Sequence, residues 1–347
     1  MIDWRTAERV AGFVGGASES DQALPGDLVE ITRDSEDRVR GYTGMTADTP
    51  LPAPEAVSRR EWIAANLKTM RPMLDPITGK VAEGFGPLAA PLRVATGVVL
   101  AAQVGALTGY LAQRVLGQYD LALLDASVAP RLLFVAPNLI ESAGKLDADR
   151  EELLRWVAFH EVTHGVQFSS VPWLRDHLGE MLRELLGSLD VQVDTRGLLN
   201  LPKGGDIRQL IETIRSGDLV TLVMGEDRRA VIDRLQATMA VIEGHAEHVM
   251  DAVGAEVLTS QEELRAALER RRENRPPLMR LFERLLGLEL KMRQYRDGKR
   301  FVDRVVELGG LGALNRVWTA PKALPTLAEL ADPVAWMART AVPVVTA

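Results

Sequence analysis

Two histidines four residues apart with an acid between them, in the run His160-Glu161-Val162-Thr163-His164, are the residues of this sequence best suited to chemistry. Side chains four apart on a helix lie on one face within a few ångströms, so two imidazoles there can share one tetrahedral metal ion. A zinc ion lowers the pKa of its bound water to about 7, and a carboxylate at Glu161 can take the proton, making hydroxide available at neutral pH. One helical turn therefore offers two ligands and a base. HExxH also occurs by chance in long chains, where both histidines would be polar residues of a core helix. Here only five histidines exist and the flanking positions are apolar. Partly buried imidazoles need partners, and a metal is one.

Zinc hydrolases use three protein ligands and keep a fourth position for water, so one more ligand must come from elsewhere. The chain has no cysteine, which excludes disulfides, thiolate ligands and a cysteine nucleophile and leaves His, Asp and Glu. The remaining histidines are His177, His245 and His248, and two of them lie in the run from Val241 to Asp251, the densest cluster of possible ligands outside the first helix. Leu235, Met239, Ile242, Ala246 and Val249 step at helical intervals, so this cluster is itself helical. Glu243 and Glu247 share a face. Glu243 is the expected ligand, and Glu247, one turn on, the carboxylate expected to orient a ligand histidine. His245 and His248 point away from Glu243, yet either can replace it, His245 first; His245 alternatively serves as an oxyanion donor at the rim. His177, beyond a loop expected over 168–173, is expected to be structural.

These residues need elements to hold them. A helix is expected to start at Asp149, whose side chain can cap the first turn, with Glu152 completing a capping-box pattern. Leu153, Val157, His160 and His164 then fall on one stripe. Just before it, Leu132-Leu133-Phe134-Val135 lies between Pro130 and Pro137 and reads as a strand, expected at the sheet edge beside the metal, where it could pair with an extended peptide. Residues 28–42 mix Val, Ile and Thr with charges and suggest one or two short strands. Pro50, Pro52 and Pro54 form an extended connector. Arg59 to Met70 reads as a helix, broken afterwards at Pro72, Pro76 and Gly79. A long helical insertion between the two ligand helices could serve as a lid or shape the cleft.

Val94 to Ala112 is the one stretch that could be taken for a membrane span. It is rich in Ala, Gly and Thr rather than Leu and Ile, while a span needs about 20 strongly apolar residues. A central helix whose Gly105 and Gly109 let a neighbour approach closely fits better than stable membrane insertion. A third reading, a protein anchored by this stretch, predicts detergent-dependent solubility.

With 46% hydrophobic and 26% charged residues the composition is that of a globular protein. A net charge of −7 argues against a nucleic-acid partner. The basic run Arg270 to Arg275 sits among Glu263, Glu269 and Glu273 and reads as a solvated helix face ending at Pro276-Pro277. The first residues show no apolar signal region, so a cytoplasmic location is the default expectation. The oligomeric state is not legible.

The HEVTHGVQF helix, the later EGHAE helix and the C-terminal stretch LNRVWTAPKALPTLAELADPVAW resemble a bacterial zincin-like family of metallohydrolases, over nearly the whole chain. Its members are often labelled as associated with biosynthesis of the deazaflavin coenzyme, a label that specifies no chemistry for these residues. The wider resemblance to zincins implies His160 and His164 as ligands of a Zn2+ cofactor, Glu161 as base, and Glu243 as the downstream glutamate of the gluzincin branch. Metzincins would need a third histidine where Ser170 stands. The resemblance implies a mainly α fold with a small β-sheet (α+β), a zincin-like metalloprotease core with large helical additions. It is expected as one domain over 1–347, in which the N-terminal region 1–130 packs with a metal-binding core 131–255 and a C-terminal helical part 256–347. It also implies a peptidase-like reaction but not its substrate, for which a peptide or small amide is the expectation that the proposed chemistry sets. Arg316, Trp318 and Tyr295 could line a cleft, although helix packing and surface contacts explain each as well. The competing class is a non-catalytic protein with a structural zinc or a degenerate, peptide-binding site; a base beside the ligands favours an enzyme, since a structural zinc usually closes with four protein ligands.

Overall fold

The computed structural model describes residues 2–16, 24, 26–47, 49–84, 90–187, 226–260, 263–266 and 288–341, with side chains at 77–84, 90–93, 95–96, 226–228 and 288–296 left aside. The basic run Arg270 to Arg275, most of the insertion between the ligand helices and the side chain of Tyr295 lie outside the described residues. The architecture is mainly helical with one small sheet. Its elements are α1 (Trp4–Gly15), α2 (Leu28–Thr43), β1 (Pro54–Val57), α3 (Arg59–Gly84), α4 (Ala90–Ala112), β2 (Gly117–Asp120), β3 (Arg131–Val135), α5 (Ala136–Leu146), α6 (Arg150–Ser170), α7 (Pro172–Gly187), α8 (Glu226–Gly254), α9 (Leu288–Leu314), α10 (Leu327–Ala331) and α11 (Pro333–Thr340).

The three strands lie in the order β1-β3-β2, with β1 parallel and β2 antiparallel to β3. β3 is therefore the central strand, and the expectation that it forms the sheet edge is corrected: β2 holds that place on the side of α6. Alternation along β3 sends its side chains to two different cores. Leu132 and Phe134 join the main core with Leu153, Phe159 and Val162 of α6, whereas Leu133 and Val135 join a second cluster with Trp62, Ile63 and Leu67 of α3. All four are almost wholly buried, which is why the run is continuously apolar.

Residues 28–42 form one helix, not strands. Asp27 caps it by accepting from the amides of Val29 and Glu30, and Gly44 ends it in the left-handed region at φ 67°. Its buried stripe is Ile31, Ser35, Val39 and Thr43, and the hydroxyls of Thr32, Ser35 and Thr43 bond back to carbonyls four residues earlier. Half of the stripe is thus polar by type but internally satisfied. The break expected at Pro72 also fails, because α3 continues to Gly84. Pro72 and Pro76 are four apart on an exposed face, so the carbonyls that lose their donors are left to water.

α4 is a packed helix. No helix among the described residues is long and apolar enough to cross a membrane. Gly105 and Gly109 press on the backbone of α1 at Ala7 and Ala11, leaving no room for a Cβ. On the other side of the sheet, α8 crosses α9 through Gly244 and Gly298, again with backbone in contact. α9 bends at Gly310, whose φ of 70° suits glycine.

Candidate metal centre

α6 begins where expected: the Asp149 carboxylate accepts from the amides of Glu151 and Glu152. The expected capping box does not form, because Glu152 turns to the amides and hydroxyls of Thr259 and Ser260 beyond α8. From Leu153 to Gln167 the helix is buried almost all round, which explains its lack of a single apolar face. Arg155 and His160 are exceptions, and at His160 the burial opens on one side.

α8 brings Glu243 across from α6. The Nε2 atoms of His160 and His164 are 3.2 Å apart, and each lies 3.7 Å from Oε2 of Glu243. Donors about 2.0–2.2 Å from a tetrahedral zinc lie roughly 3.3–3.6 Å from one another, so the three atoms fit a single ion. The two imidazole rings stand edge to face at 87°, which lets both nitrogens aim at one point. His160 and Glu243 are each about a quarter exposed, so a fourth position can be reached from solvent. Two imidazoles and a carboxylate without thiolates are a donor set that suits zinc.

Glu161 stands beside this group, buried under the sheet edge. Gly117 of β2 lies so close to it that a Cβ there would sit 2.6 Å from Glu161 Cγ and 2.8 Å from Val157 Cγ1. Two residues on, the backbone N–H of Tyr119 donates to Glu161 Oε2 at 2.8 Å. Burial pushes the Glu161 carboxyl up to about 7; the nearby His164 and the Tyr119 amide pull it down, and the Glu243 carboxylate adds to the rise. The Tyr119 ring stacks on Phe168 at 16°, and Gly165 admits Leu51 against the helix, so this flank of the site is walled by apolar groups.

The other residues singled out from sequence fall elsewhere. Glu247 is half-buried one turn beyond Glu243. His245, expected as an alternative ligand or a rim oxyanion donor, is fully buried and lies outside the three-residue group: its Nδ1 meets Gln167 and its ring stands edge-on to Trp318. Burial holds its pKa down to about 3, leaving it neutral. His248 is paired with Tyr42 and Asp303, at 2.8 and 2.7 Å. His177 on α7 packs against Trp173. Trp318 is a core residue whose carbonyl accepts from the indole of Trp173, and Arg316 lies with it on a short 3-10 turn. Sequence reasoning missed Gly117, Tyr119 and Gln167. Only Gln167 left a signal, three residues after His164 on the same stripe.

A family model of zincin-like metallopeptidases matches residues 2–337. Among solved structures, the chain is similar to a crystal structure from Chloroflexus aurantiacus described as a candidate hydrolase with a novel fold, with 30% identity, a TM-score of 0.72 and coverage of 98% of each chain. Among curated proteins no match is found.

Proposed function

The chain belongs to the zincin-like metallopeptidase family, and from that premise we propose that it is a zinc-dependent peptidase cleaving a peptide or small amide, with His160, His164 and Glu243 as ligands and Glu161 as general base. The observation that carries this reading is the meeting of three donor atoms within 4.8 Å of one another with a buried carboxylate beside them. A zinc ion held there supplies a Lewis acid for the scissile carbonyl and makes a water acidic enough to be deprotonated near neutral pH.

The protein's own part is positional. Tyr119 holds Oε2 of Glu161, which leaves Oε1 to accept the proton of the attacking water and to deliver it to the leaving amine. Burial against β2 raises the affinity of this carboxylate for that proton, in the direction a base working near pH 7 requires. Glu247 is proposed to support a ligand histidine.

The test is elemental analysis of wild type and Glu243→Ala, paired with hydrolysis of a peptide library by wild type and Glu161→Gln. The expected outcome is about one zinc per wild-type chain by the single-site geometry, its loss in Glu243→Ala, and retention of metal in Glu161→Gln with activity lower by roughly 10²–10⁴-fold. A metal-free, inactive wild type overturns the proposal; a Glu161→Gln variant as active as wild type removes Glu161 from the role of base.

A further inference from the structure

Behind His164, on the side away from Glu243 Oε2, lies a chain of buried polar groups that the proposed reaction does not use. His164 Nδ1 is 2.9 Å from Oε1 of Gln167, and Nε2 of the same amide is 2.9 Å from the carbonyl of Ile242 and 2.9 Å from Nδ1 of His245. Gln167 and His245 are both fully buried.

The proton positions in this chain follow from chemistry. A backbone carbonyl only accepts, so the amide face toward Ile242 is the NH2 group and the face toward His164 is the oxygen. An amide oxygen also only accepts, so His164 must carry its hydrogen on Nδ1. On a neutral ring so oriented, Nε2 is the bare lone pair on the side of His160 and Glu243, the form a metal ligand requires. The second amide hydrogen goes to His245 Nδ1, which must be the acceptor. Every donor and acceptor of the Gln167 amide that faces a partner is thereby assigned, with no alternative orientation.

The same amide also spans the two ligand helices. His164 is on α6, and Ile242 immediately precedes Glu243 on α8, so Gln167 fixes one ligand's ring and the backbone beside another.

We propose that Gln167 is a positioning residue that sets the tautomer and angle of His164 for the metal, and that His245 is the acceptor that locks the Gln167 amide. This rests on the metal-site reading above. Its test measures zinc affinity by chelator competition, with the visible spectrum of the cobalt-substituted protein and thermal unfolding of the metal-free protein, on wild type, Gln167→Met, His245→Phe and His245→Asn. Methionine keeps the length of the side chain and removes the amide. Gln167→Met is expected to lower zinc affinity about 10- to 100-fold and to shift the cobalt bands. His245→Phe is expected to lower affinity several-fold, and His245→Asn, which restores an acceptor, to return close to wild type. Gln167→Met binding zinc as tightly as wild type with an unchanged cobalt spectrum overturns the inference while leaving the metal site standing. A wild type that binds no zinc overturns both. If Gln167→Met does not fold, the histidine pair decides: equal affinities in His245→Phe and His245→Asn reject the lock, and recovery in His245→Asn upholds it.

Discussion

The contact of α1 with α4 and the contact of α6 with α8 both depend on residues four positions apart, and they use that spacing in opposite ways. On α4 the repeated residues are Gly105 and Gly109, facing Ala7, Ala11 and Gly15 of α1, and the contact is backbone against backbone. On α6 the repeated residues are His160 and His164, and what crosses to α8 is polar: a carboxylate at Glu243 and an amide at Gln167. Spacing alone fixes only that two side chains share a face. Residue type then decides whether that face excludes everything but a neighbouring helix or holds groups apart for a ligand. The central strand β3 stands between the two regions, with Leu133 and Val135 turned to one and Leu132 and Phe134 to the other.

Gly105→Leu makes the largest break in this picture. Its side chain would enter the backbone of Ala7 and the Cβ of Val10, where nothing flexible can yield. Destabilisation of about 3 kcal/mol or more is expected, at the upper end for overpacked contacts. Urea unfolding checks the size, and zinc content of the folded fraction checks the comparison: the packing region can be damaged while the site keeps its metal. A parallel loss of zinc affinity would show that the sheet transmits strain between the two regions.

Gly244→Ala sharpens the comparison from the other side, because here a packing glycine sits inside the site helix, between Glu243 and His245. A Cβ at this position meets the backbone of Gly298 and Lys299 on α9. The expected cost is about 1–3 kcal/mol, as for one methyl forced into a close contact. Unlike Gly105→Leu, this change is expected to weaken zinc binding as well, because any shift of α8 moves Glu243 and the Ile242 carbonyl together. Chelator competition alongside thermal unfolding measures both. A stability loss with unaltered zinc affinity would mean that Glu243 is held by its own surroundings and not by the helix crossing.

The region of the candidate metal centre was the more legible in sequence. His160, Glu161, His164 and the cap at Asp149 follow from residue type and local spacing, and Glu243 from one helical cluster. The small residues of α4 also announced a close helix contact. The failures have a common cause, which is tertiary packing that local patterns do not carry. α2 was obscured because Ser35 and Thr43 occupy half of its buried stripe and satisfy themselves within the helix. β2, with the residues Gly-Gln-Tyr-Asp, has no apolar run, since an edge strand four residues long is only half-buried. The roles of Gly117 and Tyr119 depend on where that strand meets α6, and a backbone N–H carries no residue-type signal at all. The same holds for Glu152, whose place in a capping pattern is real in the sequence but is outcompeted by Thr259 and Ser260.

That last contact gives the smallest predicted effect and the one that depends on pH. Hydrogen bonds from Ser260 first, then Thr259, hold the Glu152 carboxyl below the usual carboxylate range in the folded protein. A carboxyl with a depressed folded pKa stabilises the fold above its unfolded pKa, and the stabilisation is lost as pH falls through the folded value. Wild type is therefore expected to exceed Glu152→Gln in stability at pH 7, with the gap closing below about pH 4.3, the ordinary value of a glutamate. The carboxyl is partly open to water, so screening limits the gap to roughly 1 kcal/mol or less. Thermal unfolding of both proteins from pH 7 down to pH 3 measures it. The contact joins the first turn of α6 to the end of α8, remote along both helices from His164 and Glu243, so zinc affinity at pH 7 is expected to be the same in both proteins. A gap that stays constant with pH would assign the contact to packing of the side chain and not to its charge; weakened zinc binding in Glu152→Gln would show that the alignment of α6 and α8 is set at their ends as well as at Gln167.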